Sequence, residues 1–322
     1  MTKIKALDLF AGTGWGVACQ RLGIEECGVE IMPEARASRE AAGMTTVYHD
    51  VWEGLENPEI VPEHDLLIAS PPCQTFSVAG KGAGRKALED VLSLVPVAAD
   101  PSAYLRKAGQ GLDDRTTLVL TPLAYAVRYE PTFIALEQVP SVLPVWEAIA
   151  SELRDMGYSV VTGVLDAADY GVPQVRKRAV LLARRDETPS SLPEPEGTRK
   201  TMQESLGWGL TERPSPTITS HLGVTRSPSG TQQVYLDAIE RGEFVFKSEE
   251  PVPSRVAKNG IGSKYAPNTV NITSEEGAVL QSYPRDFPFQ GSKTVKDLQI
   301  GNAVPPLLAE HILRTFILKE VE

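Results

Sequence analysis

The sequence predicts a doubly wound α/β sheet carrying a smaller, irregular second lobe. Three observations predict it. Residues 4–10 form an apolar run that ends in the glycine-rich turn Ala11-Gly12-Thr13-Gly14-Trp15-Gly16. Strand-like and helix-like segments then alternate as far as about Arg185, as they do in layered α/β proteins. Beyond Arg185 the chain turns polar and rich in Pro, Gly, Ser and Thr, and helical rhythm fades.

Taken in order, the spacing predicts a strand over 4–10, a helix over 17–22 and a strand over 26–30. Asp50 falls near the end of a third such unit. Strands follow at 65–69 and 132–136, with a helix over 116–129 between them. A helix over 145–156 leads to strands at 158–165 and 178–182. Residues 186–197 read as a Pro-rich linker, and an amphipathic helix over 305–319 can return to the first lobe. The expected division is 1–186 plus 291–322 for the larger domain and 187–290 for the smaller.

At 322 residues and 42% hydrophobic composition, the chain can bury one substantial core plus a second lobe. No apolar run approaches the roughly 20 residues that span a bilayer. The N-terminus enters a strand without the pattern of a signal peptide, so a cytoplasmic location is expected. Cys19, Cys27 and Cys73 follow no framework or metal spacing, and the four scattered His add none, so no metal is expected. The net charge of −10 counts against a globally basic nucleic-acid binder. Phosphate binding requires only a local basic surface, and Arg176, Lys177, Arg178, Arg184 and Arg185 cluster, as do Lys81, Arg85 and Lys86.

A glycine-rich turn after a strand lets a ligand approach the backbone and the following helix N-terminus. An acid at the end of the next strand, here Glu30, typically binds ribose hydroxyls, and Asp50 is placed to hold an adenine amino group. Read alone, the turn is also a common strand–helix connection, and each acid is also an ordinary loop carboxylate. Ser70-Pro71-Pro72-Cys73-Gln74-Thr75-Phe76-Ser77 follows the strand at 65–69. Open α/β sheets bind ligands beyond their strand ends, and two prolines stiffen the loop that presents the thiol. The plainer alternative for Cys73 is a buried structural cysteine; Cys19 and Cys27 read as core filling.

That loop resembles the catalytic loop of the cytosine-5 DNA methyltransferases, and five further motifs resemble that family's in its usual order. Asp8-Leu9-Phe10-Ala11-Gly12-Thr13-Gly14 resembles the cofactor motif. Ala135-Leu136-Glu137-Gln138-Val139-Pro140 resembles the catalytic-glutamate motif. Gln174-Val175-Arg176-Lys177-Arg178 resembles the Gln-x-Arg-x-Arg motif. Arg213-Pro214-Ser215-Pro216-Thr217-Ile218-Thr219 resembles the segment supporting the recognition lobe. Gln299-Ile300-Gly301-Asn302-Ala303-Val304-Pro305-Pro306 resembles the motif that closes the cofactor pocket.

The resemblance implies a Rossmann-like, S-adenosylmethionine-dependent methyltransferase sheet with a target-recognition lobe. It implies S-adenosylmethionine as methyl donor, S-adenosylhomocysteine as product, and a cytosine flipped out of duplex DNA as target. Cys73 is the implied nucleophile at C6, with Glu137 on the N3 and N4 edge of the base and Arg178 on O2. Arg176 is implied to hold the catalytic loop or a phosphate. The implied cofactor residues are Asp8, Phe10, Ala11, Gly12, Thr13, Gly14, Glu30, Ile31, Asp50, Val51, Pro72, Asn302 and Val304. Gln74, Ser77, Arg213, Thr217 and Thr219 are implied to touch DNA. A monomer is implied, with a cognate restriction endonuclease as a candidate partner.

The chain departs from the family pattern in three places. Gln138 stands where Asn is usual after the catalytic Glu, which predicts retained activity with altered loop support. An insertion over about 87–107 precedes Gly111-Leu112-Asp113-Asp114-Arg115, either as an extra helix or as a DNA contact. The stretch between Arg185 and Arg213 is short, so base reading is expected mostly from 222–268. That stretch carries Arg226, Gln232, Gln233, Arg241, Arg255, Lys258, Asn259 and Lys264. A tRNA cytosine-5 methyltransferase is the nearest alternative, because it shares this motif order. A non-catalytic cofactor-binding protein would lack Cys73, Glu137 or Arg178, and all three are present. A nicotinamide-dependent oxidoreductase leaves the Pro-Pro-Cys loop unexplained.

Overall fold

A computed structural model describes residues 3–72, 83–100, 105–110, 117–186, 188, 190–220, 230–245 and 272–318. Cys73, Gln74 and Ser77 lie outside these residues, as does most of 222–268.

The elements follow the expected alternation and add to it. β1 (Lys5–Leu9) leads into α1 (Gly14–Leu22), which stops where Gly23 turns left-handed. Next come β2 (Glu25–Val29), α2 (Pro33–Ala41), β3 (Thr45–Tyr48) and α3 (Val51–Glu56). β4 (Leu66–Ala69) is buried along its whole length, as a central strand covered on both faces must be. α4 (Ala83–Ala98) and α5 (Leu105–Ala108) fall in the insertion. α6 (Thr121–Tyr129), β5 (Phe133–Gln138) and α7 (Leu143–Asp155) continue the alternation. β6 (Ser159–Asp166) and β7 (Lys177–Arg184) close the sheet.

The strand order is β3-β2-β1-β4-β5-β7-β6. β1 to β5 are parallel, whereas β7 lies between β5 and β6 and runs antiparallel to both. Chain order reverses between β1 and β4, which opens a crevice beyond their carboxyl ends. The glycine-rich turn and the Pro-Pro loop both leave the sheet at that crevice.

Two hydrophobic clusters cover the sheet. On one, Val91, Val95 and Ala98 of α4 join Val145, Trp146 and Ile149 of α7. The insertion therefore contributes a packed helix, fixed further by Arg106 of its second helix, which pairs with Glu56 at 3.0 Å and stands over the Trp52 ring. On the other, Trp15, Ala18 and Cys19 of α1 pack against Leu308, Ile312 and Phe316. The terminal segment is α12 (Pro306–Leu313) continued by a π-helical turn over Arg314–Leu318, not one uniform helix.

The remaining described elements are α8 (Met202–Leu206), β8 (Gly209–Leu210), α9 (Gly230–Glu240), β9 (Phe244–Val245), α10 (Ser274–Leu280) and α11 (Lys293–Asn302). A third cluster joins Met202, Trp208, Tyr235, Leu280, Tyr283 and Ile300 to Val17 of α1 and to Met44. Among the described residues no helix is long and apolar enough to cross a membrane.

Candidate active site

β1 ends at Leu9, and Phe10 takes a left-handed backbone (φ 59°), which is costly for a residue with a side chain. This bend turns the chain over the end of the sheet and into the glycine-rich turn. Gly14 then permits an approach no other residue would allow. A Cβ there would lie 2.1 Å from the Val304 carbonyl oxygen, so the last motif sits directly against the first turn of α1. Gly301 is equally tight, because its Cβ would meet the Ser220 backbone nitrogen at 2.1 Å.

These contacts frame a cavity of roughly 600 Å³, within the range of small-molecule sites. Phe10, Ala11, Gly12, Thr13, Gly14, Glu30, Ile31, Asp50, Val51, Pro72, Asn302 and Val304 line it. Glu137, Arg176, Arg178, Thr217 and Thr219 line it as well, as do His49 and Trp15, which the sequence reading did not select. Glu30 accepts from the Gly12 amide at 2.9 Å and from the Met32 amide at 2.8 Å, which fixes its carboxylate at the cavity edge. Asp50 caps α3 through the Trp52 amide. Two fixed carboxylates, the uncapped start of α1, and apolar walls from Phe10, Ile31 and Val51 suit a ligand with hydroxyls, an amine, a carboxylate and a flat ring.

Glu137 and Arg178 meet at the sheet side of the cavity. Arg178 Nε lies 2.8 Å from Glu137 Oε1, and both side chains are largely buried. Arg178 Nη1 also donates to the Lys177 carbonyl at 2.7 Å. Gln138, the next residue on β5, donates its amide to the Pro71 carbonyl and accepts from the Val139 amide at 2.5 Å. Trp15 Nε1 donates to Ser70 Oγ at 3.0 Å. The longer Gln side chain thus ties β5 to the root of the Pro-Pro-Cys loop two residues before Cys73.

Two expectations need correction. Asp8 does not line the cavity: it is fully buried, and neither carboxylate oxygen has a hydrogen-bond partner among the described residues. Burial first, and the Glu26 charge second, push its pKa well above the carboxylate range. Glu26 is pushed up by burial and pulled back by Arg39, whose Nη2 lies 2.6 Å away. Arg176 does not offer its terminal amino groups to a phosphate. Nη1 donates to the Ile218 carbonyl and Nη2 to those of Gly301 and Ala303, all at 2.9 Å. It ties its own loop to the Ile218 segment and to the C-terminal end of the helix that runs to Asn302, two of the three bonds being fully buried.

Arg213 stands away from the cavity and pairs with Glu243 at 3.4 Å. Arg241 pairs with the same carboxylate at 2.9 Å. Gln174 donates to the Leu280 carbonyl and to Gln281, and Gln281 donates to the Ile300 carbonyl. Cys19 is buried, and burial pushes the half-buried Cys27 thiol up to about 11, so both behave as packing groups.

Sheet order, cavity and Gly-rich turn together define a Rossmann-like methyltransferase. Residues 4–96 and 104–317 match the family model for C-5 cytosine-specific DNA methylase, and the chain belongs to that family. It is similar to the type II methyltransferases M1.HphI of Haemophilus parahaemolyticus (29% identity, 95% of this chain, 84% of the relative) and M.HgiDI of Herpetosiphon aurantiacus (28%, 95% and 92%). The S. pombe Dnmt2 methyltransferase shares the fold, with a TM-score of 0.62 at 18% identity over 97% of this chain and 98% of that one. This is an S-adenosylmethionine-dependent cytosine-5 methyltransferase.

Proposed function

We propose that the substrate is cytosine in duplex DNA, and that the target base leaves the helix to reach Glu137 and Arg178. The observation that carries this reading is the buried Glu137–Arg178 pair on the cavity wall, beside Pro71 and Pro72, with Cys73 the next residue in the chain. An acid and a guanidinium side by side match one edge of cytosine: Glu137 faces N3 and the N4 amino group, and Arg178 donates to O2. The type II names of the relatives support DNA as the polymer.

The Cys73 thiolate adds to C6, and Glu137 supplies a proton at N3 as electron density moves into the ring. C5 becomes enamine-like. S-adenosylmethionine, when bound, supplies the electrophilic methyl group that C5 accepts. Loss of the C5 proton to a base then expels Cys73 by elimination, and Glu137 takes back the N3 proton. Splitting the reaction through a covalent adduct replaces one difficult step by two easier ones. Glu30 and Asp50 would hold the ribose and adenine of the cofactor, with Phe10, Ile31 and Val51 against the ring. Pro72, Asn302 and Val304 would close over it. Gln74, Ser77, Thr217 and Thr219 would face the DNA, and residues 187–290, mostly through 222–268, would read it.

The test is transfer of tritiated methyl groups to duplex DNA and, in parallel, to tRNA. Incorporation into DNA, mapped by bisulfite sequencing, is the expected result. Incorporation into tRNA alone would sink the DNA reading and leave the cytosine-5 chemistry intact.

A further inference from the structure

Tyr125 of α6 is fully buried, and its hydroxyl meets both ends of the turn between β3 and α3. It lies 2.6 Å from the Val51 carbonyl oxygen and 3.0 Å from the Tyr48 hydroxyl. A carbonyl can only accept, so Tyr125 gives its one proton to Val51, and the Tyr48 hydroxyl donates to the Tyr125 oxygen. Burial raises the pKa of both phenols, so both keep the protons that this chain of donors needs. One hydroxyl thus closes the segment Tyr48-His49-Asp50-Val51 at its two ends.

His49, Asp50 and Val51 line the cavity, and neither Tyr48 nor Tyr125 does. The Asp50 carboxylate accepts from the Trp52 amide at 3.1 Å, and the Glu53 carboxylate accepts from the Asp50 amide at 3.0 Å, so the direction of Asp50 follows the start of α3. The hydroxyls reach this position only because residue 54 is glycine. A Cβ there would lie 2.2 Å from the Tyr125 oxygen and 2.6 Å from that of Tyr48. Tyr129 holds α3 farther along, through the Gly54 carbonyl at 2.6 Å.

We propose that Tyr125 is a positioning residue for nucleobase recognition: by closing the β3–α3 turn at both ends, it fixes where Asp50 meets the exocyclic amino group of adenine. The proposal rests on the reading of the cavity as the cofactor site, with Asp50 at that amino group. Without the Tyr125 hydroxyl, Tyr48 is left with a buried donor that lacks its partner, the turn relaxes, and Asp50 loses its alignment. Glu30 and the glycine-rich turn keep their places.

Calorimetry with two ligands tests this on the full chain. S-adenosylhomocysteine carries the amino group, whereas S-inosylhomocysteine has a carbonyl oxygen in its place, which gives Asp50 nothing to accept. The wild type should therefore prefer the adenosyl ligand. In Tyr125→Phe, affinity for S-adenosylhomocysteine should fall by about fivefold, the worth of one hydrogen bond, while affinity for S-inosylhomocysteine is unchanged. Tyr48→Phe keeps the bond to Val51 and removes only the other tie, so it should narrow the preference by about twofold, and it carries the test if Tyr125→Phe does not fold. Tyr129→Phe acts on the far part of α3 and should leave the preference as it is. Equal weakening toward both ligands would mean general loosening and would overturn the proposal. So would an unchanged preference in Tyr125→Phe or Tyr48→Phe, a Tyr129→Phe protein that narrows it as much as Tyr125→Phe, or a wild type with no preference at all. A wild-type protein that binds neither ligand would instead refute the cavity as the cofactor site.

Discussion

Glu137 and Arg178 are diagonal neighbours on one face of an antiparallel strand pair. Glu137 stands opposite Val180 in the register of β5 and β7, and Arg178 lies two residues back along β7 on that same face. The 2.8 Å contact follows from that register, because alternate residues share a face. The antiparallel insertion of β7 thus brings the acid of one motif to the guanidinium of another.

Glu137→Gln keeps the shape and loses the proton donor. Methyl transfer in a single turnover should slow by about 10²- to 10⁴-fold, the range for a positioned acid, while S-adenosylhomocysteine still binds. A variant that transfers at the wild-type rate would remove Glu137 from the reaction.

Cys73→Ser replaces a thiol by a far weaker nucleophile near neutral pH. Turnover should disappear while cofactor affinity, measured by calorimetry, survives. Retained turnover would rule out the covalent route through residue 73.

Gly14→Ala and Gly12→Ala separate two reasons for glycine. At Gly14 the added methyl collides with the Val304 carbonyl, a backbone atom that cannot swing aside, so two motifs must part. A stability loss of about 3 kcal/mol is expected, with cofactor binding weakened more than about tenfold. Gly12 has φ +45° and nothing within 4 Å of a Cβ, so alanine there should cost only about 1–2 kcal/mol of left-handed strain. Thermal unfolding of both variants checks the ordering, and equal losses would contradict it.

The legible parts of the sequence were the contiguous ones. The glycine turn, Glu30, Glu137 and Gln138 sit within short motifs at strand ends, where residue type and position together limit the chemistry. α2 was not legible, because its segment Pro33-Glu34-Ala35-Arg36-Ala37-Ser38-Arg39-Glu40-Ala41 is mostly polar and buries Ala35, Ser38 and Arg39 rather than an apolar stripe. Arg176 and Arg178 look alike in a basic run and, two residues apart, fall on one face, yet Arg178 lies within β7 and reaches Glu137, whereas Arg176 precedes the strand and reaches three carbonyls. Tyr125 meets Tyr48 and Val51 only through tertiary packing, which no local pattern encodes.

Arg176→Met tests the inward role. It removes the donors to the Ile218, Gly301 and Ala303 carbonyls, the first two of them fully buried. Unfolding in urea should show a loss of about 3 kcal/mol or more, a far larger effect than for an exposed arginine. A loss below about 0.5 kcal/mol, as for a surface substitution, would return Arg176 to the group of solvent-facing cations.

Asp8→Asn tests the buried carboxyl through its pH dependence. In the folded protein Asp8 holds its proton well above the usual range, mainly because burial opposes the charge and secondarily because Glu26 repels it. In the unfolded chain it ionises at about pH 4. Between those two values the folded state binds more protons than the unfolded state, so this group makes stability fall as pH rises from about 4 through the folded pKa. Asparagine cannot ionise and lacks that slope. Its amide also lacks partners in the same place, but this offset does not change with pH. Glu26, Glu30 and Arg39 face Asp8 in both proteins, so their own titrations largely cancel in the difference. Urea unfolding at pH 5 and pH 8 should therefore show the variant gaining on the wild type as pH increases. Parallel curves, or a wild type that gains on the variant, would mean that Asp8 carries its charge in the fold and that Arg39 compensates both acids.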